Sequence, residues 1–386
     1  MQVAIDARYL SEPFGSMTVY CGQLLRALVD LGLGSRPAAL IPRDLHESAL
    51  ALRSELGDEV VWVSPQTDNY GRGDLKGELR WIHIQLPELL ATRLPDADVL
   101  ITVYHHPPFR APGVHRVAVL HDLCGLGEGF PKHKKAFWRH YLRLRAAAHL
   151  SDTIWPISEA TRSAMAQRFP ASRGRLGPVV YNGVNRQPTS SAQVDEVLAR
   201  YNLRRLEYVV AFSTNQKRKN FAATLEALTL LRRRGLPLRL VGIAPARERH
   251  QIEEWCDVEG HPDAVILSGV PDETLDALYA GALALSWPST CEGFGYPVVE
   301  AMVQGCPPLV WATGPGAELV GHAFAPLASV SSLTISDRLE ALRSLETADR
   351  RRLAERLRAR AADFSLESYR QQVSDALKRA QQGHVS

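Results

Sequence analysis

The strongest constraint on the fold is an alternation. Short, solidly apolar runs recur along the chain, and amphipathic stretches separate them. In the first half the runs are Val3–Ile5, Ala38–Ile41, Val60–Val63, Val99–Val103, Val117–Leu120, Thr153–Ile157 and Val179–Tyr181. Between them lie stretches such as Val19–Leu31, Leu45–Leu56 and Ser158–Phe169. A strand with one wet face alternates apolar and polar residues, whereas a strand that is apolar throughout is covered on both faces. Strand and helix in turn, with strands of that kind, predict a parallel sheet between two layers of helix. A polar break, Asn185–Ser191, interrupts the pattern and reads as a linker. The pattern then restarts with Tyr208–Ser213, Leu238–Gly242, Ala264–Leu267, Ala282–Trp287 and Pro308–Trp311. The reading is an α/β protein of two doubly wound, Rossmann-like domains facing across a cleft. Ligands of such sheets bind beyond the carboxyl ends of the strands.

A chain of 386 residues, 45% hydrophobic, suits two domains better than one. The net charge of +3 excludes a whole-chain polyanion binder. With no groove-reading motif, nucleic acid is not an expected partner. The five cysteines, Cys21, Cys124, Cys256, Cys291 and Cys306, are scattered and odd in number. That argues against a disulfide framework or zinc site and for a reducing compartment. Met1–Ala7 opens directly on a strand-like run, so no signal peptide is expected, and no apolar run is long enough to span a bilayer. The expected location is cytoplasmic. Neither a P-loop nor a dinucleotide fingerprint is present.

The chemistry concentrates in Cys291-Glu292-Gly293-Phe294-Gly295-Tyr296-Pro297-Val298-Val299-Glu300-Ala301-Met302. Glycines allow a positive φ and close approach of a ligand to backbone. Pro297 suits a helix start and Gly305 its end. Glu292 is therefore expected in a tight loop, and Glu300 one turn into a short helix whose free N–H groups suit phosphate. Glu300 would accept from a pair of sugar hydroxyls. An ordinary capped helix with a Gly-Pro turn has the same outline. Upstream, Lys217-Arg218-Lys219-Asn220 opens the helix Phe221–Leu231. Cations oppose the dipole at a helix N-terminus and make sense there beside a dianion, or else as a solvated basic loop. His121-Asp122-Leu123 follows directly on the strand Val117–Leu120, a place where a His is often structural.

The Glu292-to-Glu300 segment resembles the Glu-x7-Glu signature of retaining family 4 glycosyltransferases, a GT-B group. The resemblance extends along most of the chain. Ser151–Arg162 looks like the family's Ala-Asp…Ser-Glu element, Val180–Val184 its Pro-Asn-Gly-Val turn, Gly269–Asp272 its nucleobase loop and Ser286–Ser289 its Phe-Pro-Ser element. It implies GT-B architecture, with an acceptor domain at 1–188, a nucleotide-sugar domain at 189–363 and a C-terminal helix, 364–386, crossing back to the first domain. It implies transfer of a hexosyl unit with retention, from GDP-mannose or a UDP-sugar to a hydroxyl of a glycan, lipid-linked sugar or small molecule, without metal or cofactor. Lys219, Glu292 and His121 would be catalytic. Arg218, Lys219, Gly242, Val270, Glu292, Gly293, Phe294, Gly295 and Glu300 would bind the donor, and Gly15, Ser16 and Met17 would form the acceptor-side loop.

This chain departs from the family pattern there. Phe14–Tyr20 replaces a Gly-Ile-Gly-Arg-Tyr-like loop, with Val19 where the basic residue stands. Ser213-Thr214 replaces an Arg after the strand that precedes Lys219. The altered loop Gly15–Val19 motivates one alternative, a non-catalytic nucleotide-sugar-binding partner subunit; a sugar-nucleotide epimerase of similar fold is another. Asp96-Ala97-Asp98 matches an Asp-x-Asp metal motif but precedes its strand, so it reads as a turn. The basic, aromatic segment 131–145 puts Lys135, Arg139 and Arg143 on one helix face, opposite Phe137, Tyr141, Leu144 and Ala148. It is either a plain surface helix or a peripheral contact with an anionic membrane at the inner face of the cell.

Overall fold

The structure, a computed structural model, describes residues 1–11, 15–66, 75–104, 106–127 and 135–384. Phe14 and the segment 131–134 of the basic stretch therefore lie outside the described residues. Six strands form one sheet: β1 (Val3–Asp6), β2 (Ala38–Leu40), β3 (Val61–Val63), β4 (Val99–Thr102), β5 (His115–Leu120) and β6 (Thr153–Pro156). Their order is β3-β2-β1-β4-β5-β6, and every pairing is parallel. Five more form a second sheet: β7 (Tyr208–Phe212), β8 (Arg239–Ile243), β9 (Val265–Leu267), β10 (Ala284–Trp287) and β11 (Pro308–Val310). Its order is β11-β10-β7-β8-β9, again all parallel. All residues of β1, β2, β4 and β10 are buried, which is why these runs contain no alternating polar residues.

The chain divides into two units, Met1–Gly183 with Leu366–Ser386, and Val184–Ser365. The limits differ from 188 and 363 because Val184 pairs with Ser365 in an isolated parallel bridge, and the Val184 N–H donates to the Phe364 carbonyl at 2.8 Å. In the first unit, the helix Leu366–His384 is tied to the helix Ser16–Asp30 by Arg370 Nη1 on Asp30 Oδ2 at 2.9 Å. The apolar run Val179–Tyr181 is not a strand. The Val180 N–H reaches the Pro156 carbonyl at 2.9 Å, but the Tyr181 N–H bonds to the Gln372 side chain, and Pro178 has no N–H to continue a ladder.

The polar break is not a loose linker either. The amide of Gln304, 3% exposed, holds the Gln187 carbonyl and the Thr189 N–H, each at 2.8 Å. Ser190 then caps the helix Ser191–Arg200 with a full capping box. Each sheet reverses its winding at one point, between β1 and β4 in the first unit and between β7 and β10 in the second. Such a reversal opens a crevice at the carboxyl edge. Asp98 lies at the other edge of the first sheet, where its Oδ2 accepts from the Gln2 N–H at 2.7 Å. That is the turn role expected of Asp96-Ala97-Asp98.

The basic helix runs from Lys135 to Leu150 and buries Phe137, Leu144, Ala147 and Ala148. Arg143 does not share an open face with Lys135 and Arg139. It is ion-paired with Glu78, and its guanidinium sits 5.8 Å from the Tyr104 ring centre. The outward face instead carries Trp138 and Leu142, 53% and 57% exposed, beside Lys135, Arg139 and Arg145. Cys21, Cys256 and Cys306 are buried free thiols. Cys124 and Cys291 are not free thiols. Among the described residues, no helix is long and apolar enough to cross a membrane.

Candidate functional site

In the second unit, β7 and β10 are neighbours in register, with Ser286 opposite Ala211. The chain leaving β7 makes a tight turn, Lys217–Lys219, and passes through Asn220 at φ +51° into the helix Phe221–Arg233. The chain leaving β10 makes the loop 288–295 and enters the helix Tyr296–Val303 through Gly295 at φ +113°, with Pro297 in the first turn. That φ requires the glycine. Both segments thus reach the same crevice.

There Lys219 Nζ lies 2.6 Å from Glu292 Oε1, and Arg218 Nη1 lies 3.0 Å from the same oxygen. Ser289 Oγ donates to it at 2.6 Å. The loops are pinned by Arg218 Nη1 on the Cys291 carbonyl at 2.9 Å and by the Thr290 N–H on the Arg218 carbonyl at 2.8 Å. Lys219 Nζ also stands 3.9 Å from the centre of the Trp287 ring. Two cations against one carboxylate leave a surplus of one positive charge. Burial lowers the Lys219 pKa, and Glu292 works against that shift. A partly desolvated cation pair at a sheet's switch point suits an anionic ligand.

Glu300 sits in the helix Tyr296–Val303, 14% exposed, but it does not face open space alone. Arg186 Nη2 lies 3.3 Å from Glu300 Oε1 and 2.8 Å from Asp272 Oδ1, while Nη1 lies 3.4 Å from Asp276 Oδ2. Burial pushes the Glu300 carboxyl up to about 7, against the pull of Arg186. Burial likewise pushes Asp276 up to about 6. The sequence marked neither Arg186 nor Asp276, and Asp272 only as the end of the loop Gly269–Asp272.

The other expected donor residues divide. Val270 is half-buried, two residues ahead of Asp272. Gly293 and Gly295 lie in the loop beside Glu292. Phe294 is 3% exposed and packs edge-on against Tyr296 and Phe364, a core role. Gly242 lies inside β8, where a Cβ would fall 2.5 Å from Ser213 Oγ and 2.6 Å from Ile266 Cδ1, so close packing explains this glycine.

In the first unit, His121 follows β5 and is 4% exposed. Its Nε2 lies 2.6 Å from the Val103 carbonyl, which can only accept, so Nε2 carries the proton. Burial pushes its pKa down to about 4, so the ring is neutral at pH 7. The Tyr20 ring stands edge-on at 4.8 Å. Gly15 caps the helix Ser16–Asp30 in an extended conformation, φ −166°, which any residue adopts. Ser16 and Met17 are its first turn, so the segment that replaces the expected glycine-rich loop is largely helix.

Residues 200–363 match the family described as Glycosyl transferases group 1. The second unit belongs to that family.

The group 1 match holds the turn Lys217–Lys219, Glu292, Glu300 and the Asp272–Asp276 pair, while Arg186 precedes it. The chain is 30% identical over 240 residues to the O-antigen chain mannosyltransferase B of Escherichia coli, a span that is 57% of this chain and 60% of that protein. Among solved structures it is similar to WaaG, a glycosyltransferase involved in lipopolysaccharide biosynthesis, with TM-score 0.69, 16% identity and coverage of 97% and 99% of the two chains. It is also similar to Anabaena HepE in complex with UDP and glucose, with TM-score 0.68, 18% identity and coverage of 98% and 100%. At these identities the likeness establishes the fold, GT-B. Group 1 membership agrees with the resemblance read from Glu292 to Glu300.

Proposed function

We propose that the protein is a retaining glycosyltransferase that moves a hexosyl unit from a nucleoside diphosphate sugar to a hydroxyl acceptor. The observation that carries the reading is the surplus cation: Lys219 and Arg218 converge on one oxygen of Glu292 at the switch point. A diphosphate leaving group needs positive charge where its own charge develops. When it arrives, the two cations would turn to the phosphates. Glu292, freed from them, and the Gly293–Gly295 backbone would orient the transferred sugar. Glu300 would hold the ribose hydroxyls. The leaving phosphate would assist deprotonation of the acceptor on the same face, which gives retention. Acceptor binding falls to the first unit, where His121 would act as a neutral imidazole.

The solved HepE complexes hold UDP, UDP-glucose, or UDP and glucose, and the Escherichia coli relative is a mannosyltransferase. Both donor classes therefore belong in the test. A ligand at about 100 times its Kd stabilises the fold by about 2.7 kcal/mol. UDP, GDP, UDP-glucose and GDP-mannose are expected to separate in a thermal-shift series. No shift with any of them would overturn the reading. Because the two basic residues neutralise the leaving group, activity should survive excess EDTA. Loss restored by Mg²⁺ or Mn²⁺ would show that a cation does that work.

The exposed face of the helix Lys135–Leu150 fits contact with an anionic bilayer, near a glycan acceptor carried on lipid. Trp138 and Leu142 would enter the interface while Lys135, Arg139 and Arg145 meet headgroups, each basic group contributing about 1 kcal/mol. Vesicle flotation should need anionic lipid, weaken with salt, and be lost in a Trp138→Glu/Leu142→Glu variant. Equal flotation of wild type and variant leaves a plain surface helix.

A further inference from the structure

One buried cluster in the second unit is not accounted for by the donor contacts alone. Arg186 faces three carboxylates, and although Asp272 is 73% exposed, Asp276 and Glu300 are buried with it, so the buried part, fully ionised, would carry one negative charge more than positive. A purely structural pair would be neutral, because burying excess charge is unfavourable. The groups facing Glu300 come from several elements. The helix Asp272–Gly281 supplies Asp272, Asp276 and Tyr279, with Glu273 beside Asp276. Segment 184–190 supplies Arg186, and Cys306, after the helix that carries Glu300, faces Tyr279. The Tyr279 hydroxyl is buried without a hydrogen-bond partner. Arg186 is 11% exposed, and Gln304 holds the backbone just after it. One carboxylate oxygen of Glu300, Oε1, is engaged by the guanidinium.

We propose that Arg186 is a positioning residue for Glu300: anchored by Asp272 and Asp276, it occupies Oε1, fixes the direction of the carboxylate and leaves Oε2 for the ribose hydroxyls of the donor nucleotide. This rests on the donor reading above. An arginine suits the task because its planar fork presents several N–H groups in fixed directions, which a lysine does not. Burial drives the Glu300 carboxyl up to about 7, and the guanidinium opposes that drift. A protonated Glu300 would lose an acceptor and donate where the ribose also donates, so nucleotide binding should fall off below neutrality.

The test compares wild type, Arg186→Lys and Arg186→Gln. Glutamate carboxyl carbons are followed by NMR against pH in the free protein, with Glu300 assigned through Glu300→Gln. UDP and GDP affinities are measured by calorimetry from pH 6 to 9. Arg186→Gln should raise the Glu300 midpoint by at least about one pH unit, and Arg186→Lys by less. At pH 6.5 the Gln variant should bind nucleotide about tenfold more weakly than wild type, and at pH 9 within a few-fold of it. An unmoved midpoint, or the same loss at every pH, overturns the proposal. A moved midpoint with no UDP or GDP binding by wild type at any pH overturns the glycosyltransferase reading, and reduces Arg186 to a structural partner of Glu300.

Discussion

Lys219→Ala should lower turnover at saturating donor by at least about a hundredfold, or about 2.7 kcal/mol of transition-state stabilisation. The same substitution should cost the fold far less. Lys219 is 15% exposed, so it is not the solvated surface lysine that a basic loop suggests. Breaking a fully buried ion pair costs about 3–5 kcal/mol because a charge is left stranded. Here Glu292 would keep Arg218 at 3.0 Å and Ser289 at 2.6 Å, so it is not stranded. A loss of about 1 kcal/mol, a few degrees in Tm at most, is expected. Lys219→Arg keeps the charge and should lose less turnover than Lys219→Ala. Because burial already lowers the Lys219 pKa, wild-type turnover should also decline on the alkaline side as the ammonium loses its proton. Steady-state kinetics with a calorimetric melt separate these effects. Turnover of Lys219→Ala equal to wild type would remove Lys219 from the mechanism.

How far the sequence revealed this site depends on the range of each interaction. The strands were legible because burial on both faces leaves no polar residues in them, and the two ends of each run were placed within a residue or two. Val179–Tyr181 misled because it is apolar without a ladder. Its N–H groups go to β6 and to a helix nearly two hundred positions later. Glu292, Glu300 and Lys219 were legible because each sits beside local punctuation, a glycine, a proline or the end of an apolar run. Arg186 had no such mark. It is a lone basic residue in a polar break, and its partners lie 90 and 114 positions away. A signal did exist on the other side. Asp272 and Asp276 are four apart at the start of a helix, and like charges at that spacing repel. Such a pair asks for a cation from elsewhere in the chain. Trp138 and Leu142 were hidden for a different reason. Helical periodicity locates two faces but does not say that Glu78, on a segment with no strong pattern, takes Arg143 away from the basic one.

Glu300→Gln and Glu292→Gln should part company, and the structure sharpens how. A site built around the ribose hydroxyls loses about 1–3 kcal/mol when its carboxylate is removed, so Glu300→Gln should weaken free UDP or GDP about 5- to 150-fold. Glu292→Gln removes the anion that competes with diphosphate for Lys219 and Arg218. Free nucleotide affinity should therefore stay level or improve a few-fold, while the single-turnover rate of transfer falls. Stability supplies an independent sign. The Glu300 pKa is raised in the fold, from an ordinary 4.5 to about 7, so the fold favours the protonated form. Its stabilising contribution is complete below about 4.5 and is lost as pH rises through 7. Wild type thus carries at pH 8 a penalty that a neutral amide avoids, at most about 3 kcal/mol for a shift of that size. Glu300→Gln should melt higher than wild type at pH 8 and gain less, or nothing, at pH 5. A variant that is more stable and binds worse is the signature of a carboxylate kept for ligand rather than for folding. If Glu292→Gln weakens free nucleotide as much as Glu300→Gln does, or if Glu300→Gln destabilises equally at both pH values, the division of labour between the two carboxylates is wrong.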